Sequence, residues 1–507
     1  MGVVTVAWNA NAAPRRYDGH AIVRIEAPQP EEIAALVSAG AVILGDRPGP
    51  DSVHLRVPPQ AKAMLAATAA VAETLVADVQ PGLDAERARL ALVGPVTHGA
   101  SFFDDFRDLA AINAHLDALA AAHPGITEIV SVGTSLEGRP IRGIAIRAGA
   151  ADGPSLLLTG TMHAREWLST MTVTCLADTL ISEHGADPAI TTALDAVGII
   201  VVPVLNPDGY VYSWEAERYW RKNRRDGVGV DLNRNFPFEW GGEGSSGIPE
   251  EENYRGTAPA SEPEAAALMA FILAQDTLVA HVDYHSYGQL LLYPWGYTST
   301  PTRDAAEFQA LAEAQVDAMA AVHGRQYLPL QGSELYLAAG VADDWAYADA
   351  GLMAFVPELR PDFEGPGDFV VDPSNIRGTC EETLAGVLVL AEWASEGLEP
   401  PDTTGADDTD TTGQGTESGP TDSTGESTSS NADTTGAVTT SADNSFPGGE
   451  AGGPPGDSSE GDGTGGSGGA TEDEGCSCTT EPRRGPWLLM LAMLGLLRRR
   501  RALTLRQ

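Results

Sequence analysis

Four apolar runs constrain this chain most strongly. They are SLLLTGT (155–161), GIIVVPVLN (198–206), TLVAHVDYH (277–285) and LMAFVPEL (352–359), with helical patterns between them. Near-continuous apolar strands that alternate with helices need cover on both faces, so they predict an α/β fold with a mostly parallel sheet. Each run also ends in, or carries, polar groups. His163 and Glu166 follow the first, Asn206-Pro207-Asp208-Gly209 closes the second, His285 closes the third and Glu358 sits on the fourth. Ligands of open α/β sheets bind beyond the carboxyl ends of the strands. Desolvating an unpaired charge is costly, so these ends are where chemistry is expected.

At 507 residues the chain exceeds one compact core. Residues 20–80 read as a small α/β unit: HAIVRIEA alternates like a strand, PEEIAALVSAGA has a helix start, and SVHLRV is a second strand. PQAKAMLAATAAVAETLV reads as a helix and PGLDAERARLALVGPVTHGAS as a loose segment, with Arg87 and Arg89 open to proteases. Residues 101–397 form the large body. From residue 398 to 475 Thr, Gly, Ser and acids dominate, with too little apolar surface to fold. Between Pro401 and Gly475 there are 16 Asp/Glu and no Lys or Arg. The overall formal charge of −40 argues against a nucleic-acid partner, which needs a basic face. The four cysteines rule out a disulfide-built scaffold, and Cys175 and Cys380 are either one bridge or two buried thiols.

His163 and Glu166 lie three residues apart, a spacing that lets both reach one cation from a loop and first helical turn. Zn2+ takes nitrogen and oxygen ligands, and a catalytic zinc keeps a position open for water. His285 is the best third ligand. His281, on the same strand face, lies further inside, and the alternative for His285 is a hydrogen-bonded core imidazole. Arg221 lies in a basic loop whose plain reading is a solvated charge run. Asn233 and Arg234 could be turn residues and Tyr336 a core residue.

The stretches HAREW, NPDGY, YWRKNR, DLNRNF, HSYGQLLLYPWGY, ELYLAAGVADDWAY and FVPELR occur in one order from Met162 to near residue 396. In that order they resemble the zinc metallocarboxypeptidase family of the carboxypeptidase A/B type. The His2Glu site of carboxypeptidase A is a known pattern, so the coordination here follows from the resemblance and not from spacing alone. The resemblance implies a mixed, mostly parallel twisted sheet flanked by helices, preceded by a small N-terminal α/β open-sandwich pro-region. It makes His163, Glu166 and His285 the ligands of one Zn2+ per catalytic domain, and Glu358 the general base. Arg221 then polarises the scissile carbonyl. Asn233, Arg234 and Tyr336 hold the substrate's terminal carboxylate, while Arg165 and Tyr287 are accessory substrate contacts. The position two residues before the Trp of DDW lines the pocket for the terminal side chain. Here it is Asp343, which implies a preference for C-terminal Lys or Arg, with mixed or apolar specificity as the alternative.

The expected partner is therefore a peptide or protein C-terminus, acted on by a monomer. Residues 20–95 resemble the family's pro-region, which makes the chain a zymogen cut near 87–100; a permanent accessory domain is the alternative. Residues 1–19 contain Ala10-Asn11-Ala12, expected as the remnant of a secretion signal. Residues 476–507 combine Gly475-Cys476, the apolar run Trp487–Leu497 and Arg498–Arg501. They resemble the myxobacterial cell-surface sorting tail, and imply an enzyme secreted or tethered at the cell surface. Two rivals remain: a surface binding protein on the same scaffold without catalysis, and an amidase acting on something other than a protein C-terminus.

Overall fold

The computed structural model describes residues 13–27, 29–44, 52–66, 71–93, 100–149, 152–363 and 368–396. All of them fall in the first of two compact units, Met1–Thr409; the second, Asp410–Gln507, lies outside the described residues, as do the Ala10-Asn11-Ala12 motif and the whole C-terminal tail.

Twelve strands are described. Four make an N-terminal sheet: β1 (Ala21–Glu26), β2 (Val42–Ile43), β3 (Ser52–Val57) and β4 (Val71–Val76), in the order β2-β3-β1-β4 with antiparallel pairing. The helix Pro30–Ser38 covers one face, and Val23, Ile25, Leu36, Val53, Leu55 and Val57 fill the core between them. In the Ala-rich stretch read as one long helix, the described residues hold a 3-10 turn at Pro59–Ala61 and a single α-helical turn at Lys62–Leu65. Val71–Val76 is β4, because Thr74 and Val76 bring β-branched side chains to a strand that pairs with β1. The segment expected to be loose contains the helix Gln80–Leu90, begun by a Pro in its first turn. Its buried face is Gln80, Leu83 and Glu86, a mixed set that no apolar periodicity flags.

The large body carries β5 (Thr127–Thr134), β6 (Pro140–Ile146), β7 (Ser155–Gly160), β8 (Gly198–Val202), β9 (Leu278–Gly288), β10 (Leu290–Tyr293), β11 (Leu328–Gln331) and β12 (Met353–Asp362). Their order is β11-β10-β12-β9-β7-β8-β6-β5. The centre, β12-β9-β7-β8, is parallel, as the apolar runs predicted; β10 against β12 and β6 against both neighbours are antiparallel. Every residue of β7 and β8 is buried, which requires helices on both sheet faces.

The helix Trp167–Glu183 is buried almost all round, which marks it as an interior element. Cys175 on it is bonded to Cys380 on the helix Asn375–Glu396, with Cα atoms 6.0 Å apart. The question left open by sequence is thereby answered: the two thiols form one bridge, closing a loop of 205 residues. Among the described residues no helix is long and apolar enough to cross a membrane.

Candidate active site

The chemistry collects where β7, β8, β9 and β12 finish. After Gly160 the chain turns through Thr161, at φ 58°, and reaches the helix at Trp167, so His163 and Glu166 sit in the short connection. Asn206 fixes this connection. Its side-chain amide donates to the carbonyls of Met162 (3.1 Å) and Lys222 (3.2 Å), and its Oδ1 caps the next helix through Gly209 N (2.9 Å). A side chain at Gly209 would strike the Lys222 carbonyl at 2.5 Å, so glycine is required for this close approach. Two strands away, β9 and β12 run parallel with His285 opposite Glu358.

His163, Glu166 and His285 converge. One donor atom from each lies within 4.8 Å of the other two, and all three residues are buried. Glu166 Oε1 is 2.9 Å from His163 Nδ1, and Oε2 is 3.1 Å from His285 Nδ1; the two Nδ1 atoms are 2.9 Å apart. The outer nitrogens decide the tautomers. His163 Nε2 meets Asp231 Oδ1 at 3.2 Å and His285 Nε2 meets Asp283 Oδ2 at 2.8 Å. Each Nε2 can donate to the carboxylate behind it, the tautomer that turns the Nδ1 lone pairs toward the centre. Two imidazole Nδ1 atoms and a carboxylate thus converge, each imidazole backed by a second carboxylate. That donor set suits a divalent cation of zinc's preference, and carboxylates behind both rings are the usual support for metal-bound histidine. The residues fit the metal.

Charge around the centre is matched. Arg221 donates from Nε (3.2 Å) and Nη2 (3.0 Å) to Asp231 Oδ2, and its Nη1 lies 3.9 Å from Glu166 Oε1. Burial opposes a charge on Asp231, but Arg221 and His163 outweigh it and hold the carboxyl well below the usual range. Burial also opposes a charge on Glu166, yet the two imidazoles keep it ionised. The solvated charge run expected of a basic loop is therefore not what Arg221 forms: it is 3% exposed and faces the three donors.

A cavity opens on this centre, lined by Glu166, Arg221, Ser286, Tyr287, Tyr336 and Glu358 among others. Asn233, Arg234 and Asp343 lie outside its lining, in an adjoining cluster. Asn233 Oδ1 accepts from Ala342 N (2.8 Å), at the start of the helix Ala342–Ala348 that carries Asp343. Arg234 donates to the carbonyls of Gly244 and Asn233, and its guanidinium lies 5.8 Å from the Tyr336 ring. Asp343 and Asp344 are both buried. Burial pushes Asp343 up to about 6, with Asp283 adding to the rise, and pushes Asp344 well above its ordinary value, with Asp343 adding to that.

Arg165 is 1% exposed, donates to Glu252 Oε2 (2.8 Å) and lies over the Phe369 ring at 4.3 Å. Tyr287 packs on Phe363 and Phe369, and its hydroxyl meets His54 Nδ1 at 3.0 Å. His54 belongs to β3, so the N-terminal sheet touches this cleft directly. Leu44 of the same sheet lines the cavity. Arg56 of β3 lies between the rings of Tyr17 and Tyr219, at 4.4 and 4.5 Å. Glu86 of the helix Gln80–Leu90 accepts from Arg218 Nε (2.9 Å) in a pair buried on both sides. Arg218 in turn donates to the carbonyls of Arg165 and Phe369.

Two members of the centre escaped the sequence reading, Asp231 and Asp283. Asp231 opens DLNRNF as a cap whose Oδ1 accepts from Asn233 N (3.0 Å). Asp283 could have been found by period: His281, Asp283 and His285 alternate along β9 onto one face.

Residues 112–386 match the family described as zinc carboxypeptidase. Carboxypeptidase A2 of Rattus norvegicus is 36% identical over 356 residues, covering 68% of this chain and 84% of its own length. Carboxypeptidase B of Astacus astacus is 36% identical over 300 residues, covering 57% of this chain and 97% of its own. The crystal structure of thrombin activatable fibrinolysis inhibitor superposes with a TM-score of 0.70 at 27% identity, over 75% of this chain and 100% of that one. The carboxypeptidase A of Helicoverpa armigera gives 0.67 at 26%, over 75% and 98%.

Proposed function

This chain belongs to the zinc carboxypeptidase family and is a metallocarboxypeptidase of the A/B type, and from that premise we propose that it removes a C-terminal Lys or Arg by general-base hydrolysis. The carrying observation is the convergence of a ring nitrogen from each of His163 and His285 on the Glu166 carboxylate, which shares one cavity wall with Glu358 and Arg221.

His163, Glu166 and His285 would hold the zinc, which would supply Lewis-acid polarisation of a carbonyl and would lower the pKa of water from 15.7 to roughly 7. The chain's own residues supply the rest. Glu358 takes the proton of the attacking water and passes it to the departing amine. Arg221, fixed by two hydrogen bonds to Asp231, presents a cation to the carbonyl oxygen as negative charge develops. Asn233, Arg234 and Tyr336 clamp the terminal carboxylate; a guanidinium forks onto a carboxylate with two parallel hydrogen bonds. Arg165 and Tyr287 line the path of the upstream residues. Asp343, raised by burial and without an arginine or lysine ion pair among the described residues, suits a cationic side chain better than an apolar one.

The N-terminal unit acts as a pro-region. Supporting this are Leu44 on the cavity wall, His54 on the Tyr287 hydroxyl, and a superposition that spans more of the chain than residues 101–397 alone would supply. The cut removing it would fall near residues 87–100. A buried disulfide supports folding in an oxidising compartment and so export, with the C-terminal tail as the surface tether. The enzyme is taken as a monomer. Assay of peptides ending in Arg, Lys and Phe, with and without a chelator, after limited proteolysis, tests these points together. Faster release of Phe defeats the basic preference, activity insensitive to chelator defeats the metal reading, and equal activity before and after proteolysis defeats the pro-region.

A further inference from the structure

Behind His285 runs a chain of buried polar groups that the hydrolytic machinery does not use. His285 Nε2 donates to Asp283 Oδ2 at 2.8 Å, and the Thr159 hydroxyl donates to Asp283 Oδ1 at 2.6 Å. Thr159 Oγ1 also lies 2.9 Å from His281 Nε2. A hydroxyl has one proton, and Thr159 gives it to Asp283, so His281 must be the donor in the last contact. All four residues are at most 1% exposed. The polarity is therefore fixed from both ends: His281 to Thr159, Thr159 to Asp283, His285 to Asp283.

Strand geometry builds this chain. His281, Asp283 and His285 alternate onto one face of β9, and Thr159 of β7 is the direct cross-strand partner of Asp283. A carboxylate between two central strands is expensive unless its oxygens are occupied, and here each accepts a hydrogen bond. The arrangement also matches the other imidazole, where Asp231 stands behind His163 and is itself held by Arg221. Asp231 is anchored by a cation, whereas Asp283 is anchored across the sheet by one neutral donor, the Thr159 hydroxyl, which His281 supports.

We propose that Asp283, held by Thr159 and His281, is a positioning residue that fixes the ring angle and tautomer of His285 and so sets how tightly the centre holds its metal. The inference rests on reading His163, Glu166 and His285 as the metal ligands. Asp283 touches no substrate. By fixing the proton on Nε2 it leaves Nδ1 bare, and its charge raises the donor strength of that nitrogen.

The test is metal binding by the purified full-length chain, stripped of metal and titrated with zinc against a chromophoric chelator, with the visible spectrum of the cobalt-loaded protein as second readout. Asp283→Asn keeps an acceptor for His285 but removes the charge and conflicts with the Thr159 proton. It is expected to weaken zinc binding by about 10- to 100-fold and to shift the cobalt absorption. Thr159→Val is expected to move both readouts in the same direction by less. Folded variants that keep the parent's zinc affinity and cobalt spectrum, even with a lowered melting temperature, would overturn the proposal by making the chain merely structural. Should Asp283→Asn not fold, Thr159→Val decides alone by the same readouts. A parent protein that binds no zinc sinks the metal centre itself, and the role of Asp283 with it.

Discussion

Two groups of buried acids lie within one field of each other and are treated in opposite ways. Around the metal centre each acid has a donor: Asp231 has Arg221 and His163, Asp283 has His285 and Thr159, and Glu166 has the two imidazoles and Ser286 N. Their carboxyls stay ionised although burial opposes it. At Asp343 and Asp344 two adjacent acids are buried side by side. Asp344 accepts from Gly296 N (2.8 Å) and Tyr297 N (3.1 Å), while Asp343 is met by amides of its own turn. Burial dominates there and both carboxyls rise. The difference separates machinery from vacancy of charge. Where counter-ions are built in, the residues are set before substrate arrives. Where one is missing, the proposed cationic guest would supply it.

The largest effects should come from the matched side. Glu358→Gln keeps the shape of the cavity wall but removes the base, so kcat should fall by roughly 10²- to 10⁴-fold with zinc content unchanged. A variant that retains more than a tenth of parental kcat would remove Glu358 from the chemistry. Arg221→Met removes an oxyanion donor, at a cost of about 3–4 kcal/mol in transition-state stabilisation. It also leaves Asp231 buried without its cation, so its zinc content must be measured beside its kinetics. Loss of kcat with zinc retained assigns the effect to the carbonyl oxygen; loss of both assigns it to the support of His163.

The unmatched side predicts a smaller, directional effect. Asp343→Ile should depress release of C-terminal Arg relative to Phe by about 3 kcal/mol, roughly a hundredfold, because the cationic guest then enters without a partner. The ratio of kcat/KM values for two peptides differing only in the last residue is the measurement. An unchanged ratio would mean that Asp343 turns away from the guest, and the contrast between the two acid groups would lose its functional meaning.

The same contrast explains what could be read in the chain before its structure. The centre of the sheet was legible because β7, β8, β9 and β12 are largely apolar and buried, and polar residues at their ends stand out against that background. Ligand pairing across β7 and β9 was reachable only by joining the apolar pattern to the family resemblance, since His163 and His285 are far apart in sequence. Asp283 was hidden because a single acid in an apolar run reads as an interruption, although its period of two with His285 carried the information. The N-terminal unit was less legible. Alanines around 61–70 favoured a helix, while the pairing of Val71–Val76 with β1 is a tertiary fact. The helix Gln80–Leu90 buries Glu86 because Arg218, 132 residues away, awaits it. The bridge between Cys175 and Cys380 depends on two helices meeting, which no spacing encodes.

The smallest effect is also the most specific, because it uses the position of Asp343 on the pH scale. Its carboxyl is raised to about 6, against an ordinary carboxylate value near 3.8, chiefly by burial. The protonated form is therefore favoured in the folded protein. With the pocket free of guest, stability should decline as pH rises from about 4 through about 6, since the unfolded chain ionises first and the folded chain must then carry an unpaired buried charge. Asp343→Asn should flatten that decline in melting temperature. Selectivity should run the other way: the Arg-to-Phe ratio should grow up to about tenfold between pH 5 and pH 7, as the charged fraction of Asp343 rises. The acids of the metal centre, already ionised across this range, cannot produce such a change in ratio. Selectivity that is flat from pH 5 to 7, together with a parental melting profile in Asp343→Asn, would show that this acid already has its partner and that the guest does not supply it.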